Sequence, residues 1–380
     1  MFKYIRQRIA FAILALFIIS IFSFIMISAF GPNPVKAVAE KDYSSGTIHI
    51  PFDEYLRQLE VKFGFRYGTE QNPGEKIPLI VRYFTYIGNI FKKGDFGFVI
   101  DSRNNPNAAE FTTMAKLFFY PLRYSLLITV PAFIMSSIIG ITLGVFAGYN
   151  RGKIFDSFIN VFVYIFIALP SFIIAPIVIT IAAKINILSA VPEFGEQPFG
   201  VVLLAYMPPI LVITLASLAV YTIYTRNQVI TVLTSNYILI AKSKGLSKSQ
   251  VFFKYVLRNI SIPLFSLIIS SFIGLLSGSI IIEKFWNIKG TSQVITNAFP
   301  KGEIYVVMYS IQFFTLISLF SEIFIDIMFA VLDPRIKYGV KSKKNYWLFF
   351  KAYLVRRKLE KDLFAMELAN NNSEAMKGVK

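Results

Sequence analysis

The sequence contains no cysteine and a single histidine, His49. The first absence excludes disulfides, thiolate metal sites and cysteine nucleophiles. The second excludes a multi-histidine metal site. Charge is also scarce. Charged residues make up 16% of the chain against 55% hydrophobic residues, where a soluble domain carries about 25% charged residues. Length alone, 380 residues, suggests two or three soluble domains. The composition overrides that suggestion and fits an integral membrane protein. Acids are the scarcer sign, 22 against 39 Lys and Arg, giving a net charge of +17. In a membrane protein the first question is where along the chain that excess falls.

Six runs are long and apolar enough for a bilayer, which takes about 20 residues. They are residues 9–30, 124–150, 157–183, 197–225, 259–282 and 304–321, the last reaching about Leu332 if Glu322 and Asp326 are tolerated. The first run follows Lys3, Arg6 and Arg8. It exceeds the apolar region of a signal peptide, and no Ala-x-Ala-like site follows, so a retained helix is expected. Six spans put both termini on one side. With the N-terminus inside, the inner segments hold 23 of the Lys and Arg and 6 of the acids. The expected topology is therefore multi-pass in the cell membrane with both termini cytoplasmic. Topology and anionic lipid account for much of the basic excess, and no nucleic-acid partner is expected.

The segments divide as 1–30, an N-terminal transmembrane helix; 31–118, an extracytoplasmic segment; 119–335, a five-helix membrane core; and 336–380, a basic cytoplasmic tail. Segment 31–118 carries turn signals at Gly31-Pro32-Asn33-Pro34, Asn72-Pro73-Gly74 and Asn104-Asn105-Pro106-Asn107. Residues 52–63 and 79–91 have near-helical apolar spacing, so a small cap of short helices is expected between the first two spans. Asp95-Phe96-Gly97 is a kinase signature only beside a Gly-rich loop and a catalytic loop. Neither occurs.

Catalytic motifs are missing throughout. No P-loop is present; Gly148 to Ile154 comes nearest, but its spacing is short and it lacks the magnesium-binding hydroxyl. No Gly-x-Ser-x-Gly elbow or His-Glu-x-x-His pair appears. No catalytic residue and no metal site is therefore expected.

Gly140, Gly144 and Gly148 fall on one face of the second span, where small residues let another helix approach closely. Gly274 and Gly278 repeat the pattern weakly in the fifth. Pro170 and Pro176 interrupt the third span, and Pro208-Pro209 the fourth. Such positions either kink a helix or turn freed carbonyls to other helices or a wet cavity. Glu322 and Asp326 share a face of the sixth span. They read either as a snorkelling pair, or one paired to Arg226 or Arg258, or as a polar lining of a path.

Residues 226–258 hold six Lys and Arg and no acid. A helix over 235–244 is expected to stop at Gly245, which tolerates the left-handed conformation of a helix end. Ser247 and Gln250 form a capping box for a second helix that ends before Pro263. Two readings fit: a basic hairpin on lipid, or a peg that docks into a soluble partner.

The segment Asn236-Tyr237-x3-Ala241-Lys242-Ser243-Lys244-Gly245-Leu246, with Asn259 and Pro263 beyond it, resembles the coupling loop of permease subunits from binding-protein-dependent ABC importers. The Gly245–Pro263 spacing is similar to that of the peptide and nickel branch. Gly94 to Gly97, Leu169 to Phe172 with Ala175-Pro176, Gly278-Ser279 through Glu283, and Ala330 to Ile336 agree in order. The N-terminal span with an outer segment resembles the B-type subunit of oligopeptide permeases. The chain departs from the pattern at Lys289-Gly290-Thr291-Ser292, where Pro-Gly-x-Gly is usual, at Glu322, and in its tail. The tail carries Leu348, Ala352, Val355, Leu359, Leu363 and Met366 on one helical stripe.

The resemblance implies an all-α, type I importer permease fold with the coupling loop at 226–262. It implies a homologous C-type permease subunit, two ABC ATPase subunits, an extracytoplasmic peptide-binding protein and a peptide substrate, in contact with membrane lipid. ATP and magnesium would be bound by the ATPase partners and no cofactor by this chain. Asn236, Tyr237, Ala241, Lys242, Ser243, Lys244, Gly245 and Leu246 would form the coupling loop. Pro170, Glu283, Glu322 and Asp326 are candidates for the path or for polar pairing. Dipeptide, nickel or glutathione import are alternatives within the class. An ion-driven secondary transporter is the alternative outside it, which internal repeats and midplane charges would favour.

Overall fold

A computed structural model describes residues 2–46, 48–332 and 346–377, and helices dominate them. Long helices arise where the apolar runs stood: α1, Phe2–Phe30; α5, Met114–Tyr149; α8, Phe199–Leu233; and α14, Ile304–Leu332. A fifth apolar stretch, Lys248–Phe285, passes through several helical pieces. The 36 residues of α5 extend about 54 Å, so α5 outruns a hydrocarbon core of about 30 Å.

In the third run, 157–183, where prolines left a kink or freed carbonyls open, the helix breaks. The run is two helices, α6 (Ile154–Ala168) and α7 (Ser171–Lys184), bent by 100°. Pro170 forces the preceding residue out of the helical region, and Leu169 adopts φ −88°, ψ 109°. Counted as one crossing, the bent pair brings the total to six.

The centre of the bundle is the α5–α8 pair. A Cβ on Gly140 would lie 2.7 Å from Tyr221 Cβ; on Gly144, 2.6 Å from Thr222 O; on Gly148, 2.7 Å from Val229 Cγ1. The glycine stripe therefore sets α5 backbone directly on α8. No such contact exists at Gly274, where an added Cβ meets nothing within 4 Å. Pro208 and Pro209 lie inside α8 without breaking it, both buried.

Between α1 and α5 the chain forms a cap. It comprises α2 (Pro34–Ser44), α3 (Phe52–Lys62), a two-stranded antiparallel hairpin of β1 (Arg66–Thr69) and β2 (Asn72–Lys76), and α4 (Leu79–Lys93). The hairpin corrects the expectation of helices alone. Asn72-Pro73-Gly74 is strand, not turn; Pro73 faces Gly68, whose φ of +100° and missing side chain admit the neighbouring strand. The cap core, including Val35, Ala39, Leu59, Tyr83 and Tyr86, packs on Phe24 of α1 and Ile304 and Met308 of α14.

Polar groups fasten the same junction. The buried Glu303 carboxylate accepts from Ile100 N (2.7 Å), Asp101 N (2.9 Å) and Asn104 Nδ2 (2.8 Å). Asp101, also buried, takes Lys41 Nζ at 2.9 Å and Arg103 Nε at 2.7 Å. Burial pushes the Asp101 carboxyl pKa up, but the hydrogen bonds from Lys41 and Arg103 outweigh it and hold it below the ordinary carboxylate value.

After α8 come α9 (Asn236–Ser243), α10 (Lys248–Val251), a π-helical turn at Phe252–Val256 and α11 (Leu257–Gly278). Helices α12 (Ile280–Phe285) and α13 (Thr291–Ala298) then lead to α14. The tail helix α15, Tyr346–Lys377, is a unit of its own, with Leu348, Val355, Leu359, Leu363 and Met366 exposed. The Asp333-Pro334-Arg335-Ile336 end of the last span and tail residues 336–345 lie outside the described residues.

Two outcomes follow from this packing. Gly144→Ala should destabilise the purified chain by about 1–3 kcal/mol, the cost of overpacking, while Gly274→Ala should be neutral or stabilising. Thermal unfolding of the two variants checks the contrast. A depressed Asp101 pKa adds stability above its unfolded value, and that stability is lost as pH falls through the folded value. Proteolysis of the cap should therefore rise below about pH 4, and Asp101→Asn should flatten that dependence.

Candidate functional site

The loop after α8 is built from the inside out. Ser235 begins α9, and Ile238 and Ala241 turn inward onto Val229 and Val232 of α8 and Val251, Val256 and Ile260 beyond. Ala241 is only 2% exposed. It is small because it sits against its own chain, a different role from lying open to a partner. The outward face carries Asn236, Tyr237, Leu239, Ile240, Lys242, Ser243 and Lys244, all exposed. Three apolar side chains on the free side of an eight-residue helix are a docking surface in outline.

The helix ends as its sequence requires. Gly245 has φ +75°, and the Gly245 and Leu246 N–H groups bond Lys242 O (2.9 Å) and Ala241 O (3.3 Å). An added Cβ at Gly245 meets nothing within 4 Å, so backbone conformation alone selects glycine there. Leu246 is half-buried against the same core. The Ser247–Gln250 capping box is present in both directions. The second helix does not stop before Pro263. It continues through the π turn into α11, with Pro263 inside. The wider π turn places Val256 and Ile260 inward, and that packing holds the helix across the proline.

A buried ion pair steadies the base of the loop. Arg226 of α8 meets Asp156 of α6 with Nε–Oδ1 at 2.5 Å and Nη2–Oδ2 at 2.8 Å, and Gly152 N donates to the same carboxylate. Arg226 is thereby committed to Asp156, not to Asp326.

Asp326 pairs instead with Arg8 of α1 at 2.8 Å. Where one of the open readings paired an acid here to Arg226 or Arg258, the partner is Arg8. Glu322, one turn away and exposed, adds to the attraction on Arg8. Glu283 is fully buried, accepting from Ser279 Oγ at 2.6 Å and Ser292 N at 3.1 Å. Gly290 packs against its carboxylate, where any side chain would collide with it. That contact accounts for the glycine within Lys289-Gly290-Thr291-Ser292. Glu283 thus ties α12 to α13 and lines no open space. Pro170 is exposed at the α6–α7 bend. The structure does not bring Pro170, Glu283, Glu322 and Asp326 together.

Sequence reasoning passed over Arg123. It is exposed near the cap end of α5, its guanidinium 3.6 Å from the Tyr120 ring and bonded to Tyr124 OH at 2.9 Å. The available signal was its Tyr-x-x-Arg-Tyr setting at the edge of an uncharged run. Among the described residues no cluster of His, Cys, Asp and Glu could hold a metal ion.

Residues 140–338 match the family described as binding-protein-dependent transport system inner membrane component. Over 344 residues the chain is 32% identical to the oligopeptide transport system permease protein OppB of Mycoplasma genitalium, covering 90% of this chain and 78% of that one. It is 29% identical to the OppB of Haemophilus influenzae, covering 89% of this chain and all of the relative. It is 28% identical to the dipeptide transport system permease protein DppB of Lactococcus lactis, with 89% and 100% covered.

The Arg8–Asp326 pair separates a clamp from a path lining. If it clamps α1 to α14, Arg8→Asp should lower the thermal stability of the purified chain, and Arg8→Asp with Asp326→Arg should recover most of the loss. Failure of the exchange to recover stability would leave Asp326 free for another role.

Proposed function

The chain belongs to the family of binding-protein-dependent transport system inner membrane components, and on that premise we propose that it is one permease half of an ATP-driven oligopeptide importer. The observation that carries this reading is α9, a short helix whose inner face is fixed to the bundle and whose outer face is apolar, basic and exposed. Its partners in this reading are a homologous C-type permease, two ATPase subunits that bind ATP and magnesium, and an extracytoplasmic peptide-binding protein. The family match and the names of the relatives support the general composition. Oligopeptides are favoured over dipeptides because the OppB proteins of Mycoplasma genitalium and Haemophilus influenzae, at 32% and 29% identity, exceed the DppB of Lactococcus lactis at 28%.

In the proposed orientation α9 faces the cytoplasm and the cap faces outward, as the Lys and Arg distribution requires. The chain itself performs no covalent step. ATP-driven closure of the ATPases moves α9. Ile238 and Ala241 pass that displacement to α8 and α11, and the two permeases alternate access to a shared path. Lys242 and Lys244 meet an acidic rim, each worth little alone because they are exposed.

The test is coupling in the purified complex. An arginine at Gly245 has room in this chain but would obstruct a partner and strain the turn by roughly 1–2 kcal/mol. Gly245→Asn tolerates the left-handed turn. We expect Gly245→Arg to lose the ATPase subunits, or the stimulation of ATP hydrolysis by loaded binding protein. Gly245→Asn and Lys242→Gln should keep both. Normal uptake and stimulated hydrolysis in Gly245→Arg would overturn the coupling assignment. Ala241→Glu is a poorer probe, since it buries a charge in the loop core and should lower stability directly.

A further inference from the structure

A cavity of about 440 Å³ lies between α1, α4 and α14. Leu16 and Phe17 form one wall, Phe313 and Leu316 another, and Ile87 and Phe91 of α4 line a third side. We propose that this cavity binds the acyl chain of an anionic glycerophospholipid, whose headgroup lies against Lys92 and Lys93.

The walls are almost wholly apolar, and two of them are membrane-spanning helices. The rim is apolar and exposed as well: Ile13, Leu316 and Phe91 are 63%, 54% and 85% exposed. Around a span, exposed surface of that kind faces hydrocarbon. Helix α4 has the pattern of a helix at the boundary of headgroups and acyl chains. Tyr83 and Tyr86 are buried against the spans, Ile80, Val81, Phe84 and Phe91 are exposed, and two lysines end it. Those lysines directly follow Phe91 at the cavity rim and are exposed. They supply the charge complementarity that selects an anionic headgroup.

Size and polarity agree with a lipid chain. At about 30 Å³ per water-sized group, the cavity takes on the order of 15 methylenes. A peptide backbone would need partners for every N–H and C=O, and the walls offer few. Gln312 already spends its Nε2 on Ser20 (3.1 Å) and its Oε1 on Tyr86 (3.1 Å). The buried Tyr83 hydroxyl has no hydrogen-bond partner among the described residues. An unfilled gap of this size would forfeit the dispersion contacts of both spans.

This inference rests on the membrane topology and needs neither ATP nor peptide, so its outcome is separate from the transport reading. The test uses the purified complex in nanodiscs with a trace of phosphatidylglycerol carrying a mid-chain diazirine. After irradiation, adducts should concentrate on peptides containing Leu16 and Leu316. Leu16→Trp, which narrows the cavity, should cut them at least five-fold while the thermal unfolding of the purified protein stays unchanged. Lys92→Gln with Lys93→Gln should lower phosphatidylglycerol labelling about five-fold or more and leave a phosphatidylcholine probe unchanged. Labelling spread evenly over other exposed positions of α1, such as Phe11 and Phe22, would overturn the site. So would insensitivity to Leu16→Trp. A covalent product between benzoylphenylalanine at Phe91 and the partner permease would assign the cavity to that subunit and overturn the lipid. Equal loss of both probes in the lysine variant would overturn the anionic headgroup.

Discussion

Everything at the loop end of the molecule depends on how closely α5 approaches α8. Gly140, Gly144 and Gly148 remove three side chains from one face, and Thr222, Thr225 and Val229 occupy the space. The gain is extensive backbone-level packing, which drives helix association where lipid is as apolar as leucine. The approach also fixes Arg226, whose backbone N and O lie against Gly144 and Gly148. From there its guanidinium reaches Asp156 and ties down the α5–α6 turn. The same stretch of α8 supplies Val229 and Val232, the floor on which α9 rests. Widening the α5–α8 contact would displace the ion pair and the loop floor together.

Carboxylates in and beside the spans serve as fasteners. Each would be expensive if left alone in a poor dielectric. Glu303 accepts three donors from the outer segment, Glu283 is held by the Ser279 hydroxyl and the Ser292 N–H of α13, and Asp156 takes a bidentate guanidinium. Breaking such a buried pair costs about 3–5 kcal/mol because an uncompensated charge remains. The role of these acids is therefore to fix junctions: cap to α14, α12 to α13, and α6 to α8. Proximity to a membrane span was a poor guide to whether an acid lines a path.

Local chemistry was legible in the sequence and directions were not. The glycine stripe, the Gly245 stop and the Ser247–Gln250 box each follow from a backbone rule that needs only neighbouring residues. The prolines did not sort themselves. Pro170 produces a 100° bend, whereas Pro208, Pro209 and Pro263 sit inside continuous helices. Exposure does not decide it: Pro208 and Pro209 are buried and Pro176 is exposed, yet all three lie inside helices, and the break falls at Pro170, where Leu169 has left the helical region. Asp326 could not be assigned a partner from spacing, because Arg8 is more than three hundred residues away in sequence. The inward aim of Ala241 was equally hidden, since a small residue suits a partner groove and a chain's own core alike. The hairpin was missed because its strands are short, polar and contain Pro73, which reads as a turn.

These fasteners divide the molecule mechanically. Helix α9 is joined to α8 and α11 through one apolar core, and α8 is joined to α5 by the glycine stripe. On the proposed reading, a push on α9 therefore moves α5, α8 and α11 as a body, because close-packed interfaces shift as units and do not stretch. Helix α1 stands outside that body. It is held by Arg8 on Asp326, by Ser20 on Gln312 and by Phe24 in the cap core, with the cavity beside these contacts. Fastened in this way to α14, α1 can follow that helix without resisting α5 and α8. On the proposed reading, the contrast between a glycine-packed centre and a first span fastened to α14 suits a moving half of a gated path.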